Sequence, residues 1–529
     1  MRFIQHYKFD TFKMIFKQIG GLQIILGFTM VFPLLVSLIY SEFYSATGFF
    51  LSGLICLVMG FSLYKGLRTF YEPLNRHALI IAATGWISIA VMGALPFIII
   101  ANITPIEIAQ QFVPAGAGYN SSIFFFKNPL HALFESMSGF TTTGLSMAVH
   151  PPSIGKGLLF YRSFTQLLGG VGFIVLTLAL LGQSSGKVAY LLYGAESTGE
   201  RLSPSIITTA RSIWKLYIGL TLFSFTYLVI GTYIILPGYS LSENIFGSIN
   251  HAMAAQSTGG FSTLDNSIAS YHSNAMEMLY LLPMILGALS LPFYFRVIHD
   301  KQFSQFWKNL QTRSVIITCA LGSVVLSGML LKSGVIPDPF RTGIFQFISA
   351  LTTTGWQTSN VHLWDSGSVV FIVMAAMIVG GAAGATVGGV KIIRVLLLFK
   401  GLFWHINSYF YSENSINVVK FNEARLLPDE MNKELARVAT FVFIYLIFIF
   451  LGTIITYYTM PHGFTIKDAL FESASAQGTV GLSCGITNPD MSPGLEITYI
   501  IQMWAGRLEI IPVLVLFRTI LLGTKPKVV

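Results

Sequence analysis

Long uncharged apolar runs recur along the whole chain and limit its fold more strongly than any other feature. A helix that spans a bilayer needs about 20 predominantly apolar residues. Nine such runs approach or exceed that length, at 21–40, 47–64, 78–100, 163–182, 217–236, 278–295, 314–331, 367–390 and 438–460, and a tenth, 497–522, is broken by Arg507, Glu509 and Arg518. Only 10% of the residues are charged, against about 25% in soluble domains. The sequence therefore predicts an all-α polytopic membrane protein.

Lysine and arginine are concentrated in alternate segments between these runs. The N-terminal segment, the C-terminal end and the segments after the second, fourth, sixth and eighth runs are basic. Because basic residues favour the cytoplasmic side of a membrane, we expect both termini in the cytoplasm. No small-residue cleavage site follows the first run, so we expect that run to be a retained anchor rather than a signal peptide.

Four short stretches rich in Thr and Gly lie in segments that this charge pattern places outside. Each follows a partly apolar helical sequence too short to span the membrane. Each contains Thr, one further residue and Gly, namely Thr142/Gly144, Thr258/Gly260, Thr353/Gly355 and Thr479/Gly481. Irregular backbone at membrane depth is tolerated only where protein buries it or where it lines a watery cavity. The pattern predicts four re-entrant loops.

The first and fourth stretches also match each other without a gap. Residues 132–136 and 469–473 both read Ala-Leu-Phe-Glu-Ser, and both stretches end in Leu-Ser at 145–146 and 482–483. Such self-similarity predicts one structural part used repeatedly. Backbone carbonyls can replace the hydration shell of a cation, and glycine permits the positive φ that turns them toward an axis. We therefore expect a cation pathway lined by backbone oxygens, without a ring of acidic side chains.

Over essentially its whole length the chain resembles the Trk/Ktr/HKT superfamily of potassium transporters, and most closely its bacterial TrkH/TrkG branch. The resemblance is carried by Ser-Gly-Phe-Thr-Thr-Thr-Gly at 138–144, Leu-Gly-Gly-Val-Gly at 168–172, Gly-Gly-Ala-Ala-Gly at 380–384 through Lys-Ile-Ile-Arg at 391–394, and Gly-Arg-Leu-Glu at 506–509. It implies four M1–P–M2 repeats with pseudo-fourfold symmetry around one pore, plus an N-terminal two-helix hairpin. M1 and M2 denote spanning helices, and P denotes a short re-entrant helix.

The implied division places the hairpin at 1–76 and the repeats at 77–185, 186–300, 301–404 and 405–529. The resemblance also assigns a potassium selectivity filter to Thr142, Thr143, Gly144, Thr258, Gly259, Gly260, Thr353, Thr354, Gly355, Thr479, Val480 and Gly481. In related plant proteins a Ser at the first filter glycine accompanies sodium preference, so four glycines imply potassium preference. The fourth copy has Gly478 where the first has Thr141, which matters little if carbonyls coordinate the ion.

A glycine-rich segment interrupts the eighth apolar run. It contains Gly380, Gly381, Gly384, Gly388 and Gly389 and ends at Lys391. One interpretation is close helix packing through small residues. The other, which the resemblance supports, is a broken helix whose loop obstructs the pore below the filter. A phosphate-binding loop is excluded, because Val390 separates the last glycine from Lys391 and no strand precedes the segment.

Charged residues at membrane depth are further candidates for a functional role. Placing Arg507 at mid-membrane costs about 3 kcal/mol on insertion scales, so it is expected to face a cavity or a partner. One interpretation is a structural ion pair with Glu509, although a residue two positions on points to another helix face. The other is that Arg507 projects into the pore and opposes cations, as its counterpart in the family does. Glu135 and Glu472 occupy equivalent points on two P helices. They either concentrate cations at the outer mouth or bind backbone N–H groups.

Three classes of function are compatible with such a chain. The leading hypothesis is potassium uptake through a four-part pore. The alternative is a secondary transporter that couples potassium or another cation to H⁺ or Na⁺ and is typically built from inverted repeats. Because all four loops enter from the same side, the repeats are not inverted, which favours the pore. An intramembrane enzyme would need a base–nucleophile pair or metal ligands, and neither the three cysteines nor the ten histidines show ligand spacing.

Partners follow mainly from the resemblance. It implies a homodimer in the lipid of a bacterial plasma (inner) membrane, with K⁺ as the transported ion and no other cofactor. The basic segments 187–215 and 391–437 either simply follow the topology rule or, as the resemblance implies, also dock a cytosolic nucleotide-binding regulatory subunit of the TrkA type. This chain has no nucleotide motif, so any nucleotide response would come from that partner. No nucleic acid partner is expected.

Overall fold

The computed structural model describes residues 2–67, 74–172, 205–364, 367–410, 418–422 and 424–523, together with 175, 176 and 178. These residues are almost entirely helical. Their strands are Val419–Phe421 and Ala424–Leu426, which pair as one antiparallel hairpin. The all-α prediction is confirmed. Part of the predicted run 163–182 and most of the basic segment 187–215 lie outside the described residues.

The N-terminal hairpin consists of Arg2–Thr29, Val31–Ile39 and Phe43–Gly66. It packs on the first repeat through a carboxylate at its turn. Glu42 accepts hydrogen bonds from the backbone N–H groups of Lys156 and Gly157, at 2.5 and 2.9 Å. Because these groups belong to the first turn of the first M2 helix, Glu42 satisfies donors that the helix itself leaves unpaired.

The M1 helices are long and continuous or nearly so. They are Asn75–Gly93 with Leu95–Ile103, Ile206–Ile235, Leu310–Ser333 and Pro428–Thr459. With the two arms of the hairpin they make six helices, among the described residues, that are long and apolar enough to cross a membrane. Their exposed faces carry large apolar side chains, as expected of surface that faces lipid.

The second, third and fourth M2 helices are interrupted, so the predicted runs 278–295, 367–390 and 497–522 are not single straight helices. Their described parts are Lys156–Val171, Asn274–Ala288 with Leu291–Tyr294, Gly367–Val379 with Ile392–Ser408, and Pro493–Arg507 with Ile511–Leu522. The second M2 helix bends by 93° at its break. Pro292 and Pro512 follow two of the breaks, where a ring in place of an N–H group prevents a regular helix from continuing.

The P helices are short and enclosed by the longer ones. They are Pro129–Phe140, Leu241–Gln256, Pro339–Leu351 and Ile466–Gly478. The first three M2 helices each pack against the P helix of the following repeat, and the fourth M2 packs against the first P helix. The four repeats therefore close into a ring, which confirms the predicted fold.

Smaller elements connect these helices at the surface. They are the α-helices Ile106–Gln111 and Gln305–Lys308, the 3₁₀ turns Ser122–Lys127, Pro151–Ile154, Ser267–Tyr271 and Val361–Leu363, and the π turn Phe295–His299.

Candidate functional site

A loop follows the C-terminal end of every P helix, and all four have the same backbone conformation. These Thr-Gly loops comprise residues 141–146, 257–262, 352–357 and 478–483. In each loop a Thr is left-handed, with φ of 57° at Thr142, 51° at Thr258, 52° at Thr353 and 48° at Thr479. Two residues later a Gly has φ of 93°, 74°, 82° or 94°, at Gly144, Gly260, Gly355 and Gly481 respectively. Positive φ is unusual for a β-branched residue, so its fourfold recurrence marks a built feature.

Hydrogen bonds from the loop to its own P helix hold this conformation. The N–H group of the residue between Thr and Gly donates to the carbonyl five residues earlier. The pairs are Thr143–Ser138 at 2.9 Å, Gly259–Ala254 at 2.8 Å, Thr354–Ser349 at 3.0 Å and Val480–Ser475 at 3.0 Å. This is the outer bond of a Schellman motif, in which Gly usually occupies the left-handed position. The motif ends each P helix and frees the following carbonyls.

The four loops meet edge to edge. A Cβ atom on Gly144 would collide with the carbonyl oxygen of Gly259 in the second loop. The same relation holds for Gly260 with Thr354 O, Gly355 with Val480 O, and Gly481 with Thr143 O. Each Gly thus faces the middle carbonyl of the next loop, and the fourth faces the first. The sequence-predicted filter residues are brought together as a closed ring in which no side chain fits at the Gly positions.

The chemistry of the ring is that of neutral oxygen ligands. Its carbonyl oxygens belong to four separate loops, and its Thr, Gly and Val residues carry no charge. The loops follow the C-terminal ends of four helices, whose partial negative charge favours a cation. Within the described ranges there is no group of three or more His, Cys, Asp or Glu side chains that could hold a metal ion. A cation in this ring would therefore be bound by backbone and hydroxyl oxygens.

Two buried glutamates support the loops from behind. Glu135 accepts hydrogen bonds from Met147 N at 2.7 Å and Ser146 Oγ at 3.0 Å. Glu472 accepts equivalent bonds from Cys484 N at 2.8 Å and Ser483 Oγ at 2.7 Å. Both side chains are completely buried, so of the two interpretations of these residues the binding of backbone N–H groups is the one that the geometry supports.

Two polar residues of the first M2 helix contact the ring and were not singled out from the sequence. Arg162 Nε lies 2.6 Å from Glu135, its Nη1 donates to Ser262 O at 3.2 Å, and its guanidinium lies over the ring of Phe261. Gln166 contacts the second loop. The two residues are four apart on one helix face, beside an apolar run, and that spacing of polar residues was the available signal.

The glycine-rich loop, residues 380–391, lies against the Thr side of the ring. The hydroxyl of Thr386 lies 3.2 Å from that of Thr258 and donates to Gln256 O at 3.0 Å. The backbone N–H of Gly388 donates to Thr353 Oγ1 at 3.1 Å, and a Cβ at Gly388 would collide with Gly478 O. The segment is therefore a broken helix in contact with three of the four loops, rather than a packed helix.

Arg507 completes the contacts on this side of the ring. It is the last residue of Pro493–Arg507, and its Nη1 lies 3.4 Å from Thr142 Oγ1 and donates to Thr386 O at 2.7 Å. Its Nη2 donates to the carbonyls of Gly169, at 2.5 Å, and Gly170. One guanidinium thus joins the first loop, the glycine-rich loop and the end of the first M2 helix.

Glu509 has other partners than Arg507. Its carboxylate lies 2.5 Å from Lys391 Nζ and also pairs with Arg394. This carboxylate joins the end of the glycine-rich loop to the break in the fourth M2 helix, where Glu509 and Ile510 both have positive φ. The ion pair considered for Arg507 in the sequence is instead formed by Lys391 and Arg394.

A cavity of about 70 Å³ lies between these groups, a volume that accommodates a few water molecules. Its walls include Trp86, Pro292, Val387, Lys391, Arg507 and Glu509. The cavity is small, and the positively charged side chains of Lys391 and Arg507 both lie in its wall.

Known proteins are similar to this chain in both sequence and fold. Residues 77–524 match the family model TrkH, described as cation transport protein. The chain is 31% identical over 507 residues to an uncharacterized cation transporter of Methanocaldococcus jannaschii, covering 96% of this chain and 95% of that one. It is 28% identical over 515 residues to the Trk system potassium uptake protein TrkH of Escherichia coli K12, covering 96% and 98%. The crystal structure of the potassium transporter TrkH from Vibrio parahaemolyticus matches with a TM-score of 0.76 at 25% identity, again covering 96% and 98%.

Proposed function

The chain belongs to the TrkH family of cation transport proteins, and we propose that it carries potassium into the cell across the bacterial plasma (inner) membrane. It is a multi-pass membrane protein of a transporter family. The observation that carries the proposal is the closed ring of four Thr-Gly loops, because such a ring offers a dehydrated monovalent cation several neutral oxygens at once. Potassium is favoured by the filter glycines at all four positions and by the potassium uptake for which the Escherichia coli relative is named.

The selectivity filter, in this proposal, is the ring itself. Its members are Thr142–Gly144, Thr258–Gly260, Thr353–Gly355 and Thr479–Gly481, acting through backbone carbonyls. The left-handed Thr and Gly residues support this assignment, because alternating backbone conformations turn successive carbonyls toward one axis.

The gate, in this proposal, is the glycine-rich loop together with Arg507. The loop is bonded to the hydroxyls of Thr258 and Thr353, and Arg507 approaches Thr142. A guanidinium at the exit of the ring opposes a cation by charge, and the loop obstructs it by volume. Lys391, paired with Glu509, would hold the loop in the closed position.

The assembly that we propose is a homodimer in lipid, with both termini in the cytoplasm and a TrkA-type nucleotide-binding subunit on the basic cytoplasmic segments. The division of the chain into a hairpin, 1–76, and four repeats beginning at 77, 186, 301 and 405 belongs to the same proposal.

Flux measurement tests the proposal. The purified protein is reconstituted into proteoliposomes, and K⁺ and Na⁺ uptake are measured with and without imposed H⁺ and Na⁺ gradients. We expect K⁺ flux that exceeds Na⁺ flux and follows the K⁺ gradient alone. Uptake that requires an H⁺ or Na⁺ gradient would instead establish the coupled transporter, and absence of K⁺ flux would contradict the proposal.

A further inference from the structure

We infer that Gln166, on the first M2 helix, is a positioning residue that fixes one quarter of the ring and thereby sets cation selectivity; the inference rests on the proposed filter. Its completely buried side chain binds two successive peptide groups of the second loop. Nε2 donates to Gly259 O at 2.5 Å, and Oε1 accepts from Phe261 N at 3.2 Å. If the amide were reversed, Nε2 would face the N–H group of Phe261 and Oε1 would face the carbonyl oxygen of Gly259. Neither pair can form a hydrogen bond, so the backbone fixes the orientation of the amide.

The second loop needs such a clamp more than the others do. Its middle residue is Gly259, followed by Gly260, and two consecutive glycines leave the peptide between them free to rotate. The equivalent residues of the other loops have side chains, at Thr143, Thr354 and Val480. Two of these side chains are themselves held, because the hydroxyls of Thr143 and Thr354 bond to those of Thr141 and Thr352 at 2.8 and 2.9 Å.

The carbonyl oxygens of these middle residues also differ between the second loop and the other three. Gly259 O occupies the ring position that Thr143 O, Thr354 O and Val480 O occupy in the other loops. No residue of the described chain donates a hydrogen bond to those three oxygens, whereas Gln166 donates to Gly259 O. A carbonyl has two lone pairs, so the bonded oxygen keeps one for an ion.

Gln166 and Gly259 are also complementary in volume. A Cβ on Gly259 would lie 2.7 Å from Gln166 Oε1 and 2.8 Å from Nε2. The Gln166 side chain therefore fills the space that the side chain of the middle residue would need. Position 259 is glycine because of this neighbour and not because of its own φ, which is outside the left-handed region.

The other repeats support an exchange of side chains between these two positions. Gly169, Gly287 and Gly506 mark equivalent points on three M2 helices, since a Cβ at each would collide with a carbonyl near the end of its own P helix. Three residues before them stand Gln166, Met284 and Met503. The two M2 helices with Met, at Met284 and Met503, are followed around the ring by the loops whose middle residues are Thr354 and Thr143. The M2 helix with Gln166 is followed by the loop whose middle residue is Gly259.

The first test replaces the clamp by the residue of the other repeats. Gln166→Met keeps the volume but removes both hydrogen bonds, and we expect the ratio of K⁺ to Na⁺ flux in proteoliposomes to fall about three- to tenfold. The matched control is Gln502→Met, another buried glutamine on an M2 helix, which bonds to Phe448 O and Ser473 Oγ and not to the ring. Its flux ratio should not change. An unchanged ratio in Gln166→Met overturns the inference.

The second test uses the complementarity in volume. Gly259→Ala alone should lower the flux ratio, because its methyl group displaces Gln166. Adding Gln166→Ala should restore most of the loss, because residue 259 then carries a side chain, as in the other three loops, and needs no clamp. Gly260→Ala should not be rescued by Gln166→Ala, because its Cβ collides with Thr354 O and its φ is 74°. If the losses of flux ratio in the single variants Gly259→Ala and Gln166→Ala add up in the double variant, the clamp is contradicted.

The proposed filter and the clamp fail in different ways. If Gly144→Ser lowers the flux ratio and Gln166→Met does not, the clamp is wrong and the filter stands. If neither variant changes the ratio, both assignments are wrong.

Discussion

Threonine at a left-handed position is the most informative residue-scale feature of the ring. Each such residue costs about 1–3 kcal/mol and persists only where its surroundings over-determine the conformation. Here the Schellman bonds from each loop to its own P helix do so four times. The sequence pattern Thr-x-Gly identified the positions, but φ of Thr142 or Thr479 is a property of the folded chain.

The first residue-scale prediction concerns Gly144→Ser. Its side chain would collide with Gly259 O, and its φ of 93° disfavours any side chain. We expect the ratio of K⁺ to Na⁺ flux to fall about tenfold, which corresponds to ~1.4 kcal/mol of lost discrimination. The matched control is Gly463→Ser, with φ of 103° and no atom within 4 Å of its Cβ. Potassium preference that survives in Gly144→Ser would refute the assignment of this glycine.

The second residue-scale prediction concerns the variant Arg507→Ala. Removing the guanidinium takes away a positive charge and four hydrogen bonds on the Thr side of the ring. We expect K⁺ flux in proteoliposomes to rise about tenfold, since lowering a barrier by ~1.4 kcal/mol already has that effect. The exposed Arg518→Ala serves as the control and should leave flux unchanged. Equal flux of Arg507→Ala and wild type, at equal protein content, would eliminate Arg507 as a gate.

At the scale of elements, the interrupted M2 helices distinguish this chain from a simple helix bundle. The third M2 helix gives up its regular hydrogen bonds from Gly380 to Lys391, and Thr386 and Gly388 bond to other repeats instead. Apolar sequence on both sides predicted a span here, and the five glycines predicted its interruption. The partners of the loop did not follow from the sequence.

The glycine-rich loop is tested by Thr386→Val. The variant preserves shape but loses the hydroxyl contacts with Thr258 Oγ1, Gln256 O and Gly287 O, at 3.2, 3.0 and 3.2 Å. With roughly 1 kcal/mol per hydrogen bond, the closed loop is weakened and K⁺ flux should rise several-fold. Thr226→Val, which loses only a bond to Leu222 O in its own helix, should behave as wild type. Unaltered flux in Thr386→Val would show that the loop does not obstruct the path.

The Lys391–Glu509–Arg394 cluster is tested by stability. Glu509→Gln leaves Lys391, whose side chain is 12% exposed, without its carboxylate. Removing one partner of a largely buried pair leaves the other charge uncompensated, so thermal unfolding in detergent should occur at lower temperature. Glu434→Gln, which breaks an exposed pair with Arg437, should change it little. Equal unfolding temperatures would mean that the cluster does not hold the loop.

On the scale of the whole molecule, the charge pattern predicts orientation. Lys65 and Lys332 are both exposed, but they lie in the last turns of helices that end on opposite sides in the proposed topology. Lys332→Cys should react with a membrane-impermeant maleimide on intact cells, and Lys65→Cys only after the membrane is opened. The native Cys56, Cys319 and Cys484 are buried, so the wild type is the control. The reverse labelling would invert the topology.

Local sequence determined much of this protein. Apolar runs, alternating basic segments and four Thr-x-Gly stretches are periodic or compositional properties, and each constrains a short segment whatever its neighbours are. They were sufficient for the all-α class and the four re-entrant loops, and the resemblance to the superfamily supplied the four M1–P–M2 repeats and the full set of ring residues. Tertiary structure decided what meets what: the pairing of Glu509 with Lys391, the contact of Arg507 with Thr142, and the fit of Gln166 to Gly259. These residues are far apart in the chain, and their contacts depend on how whole helices pack, which no local pattern encodes.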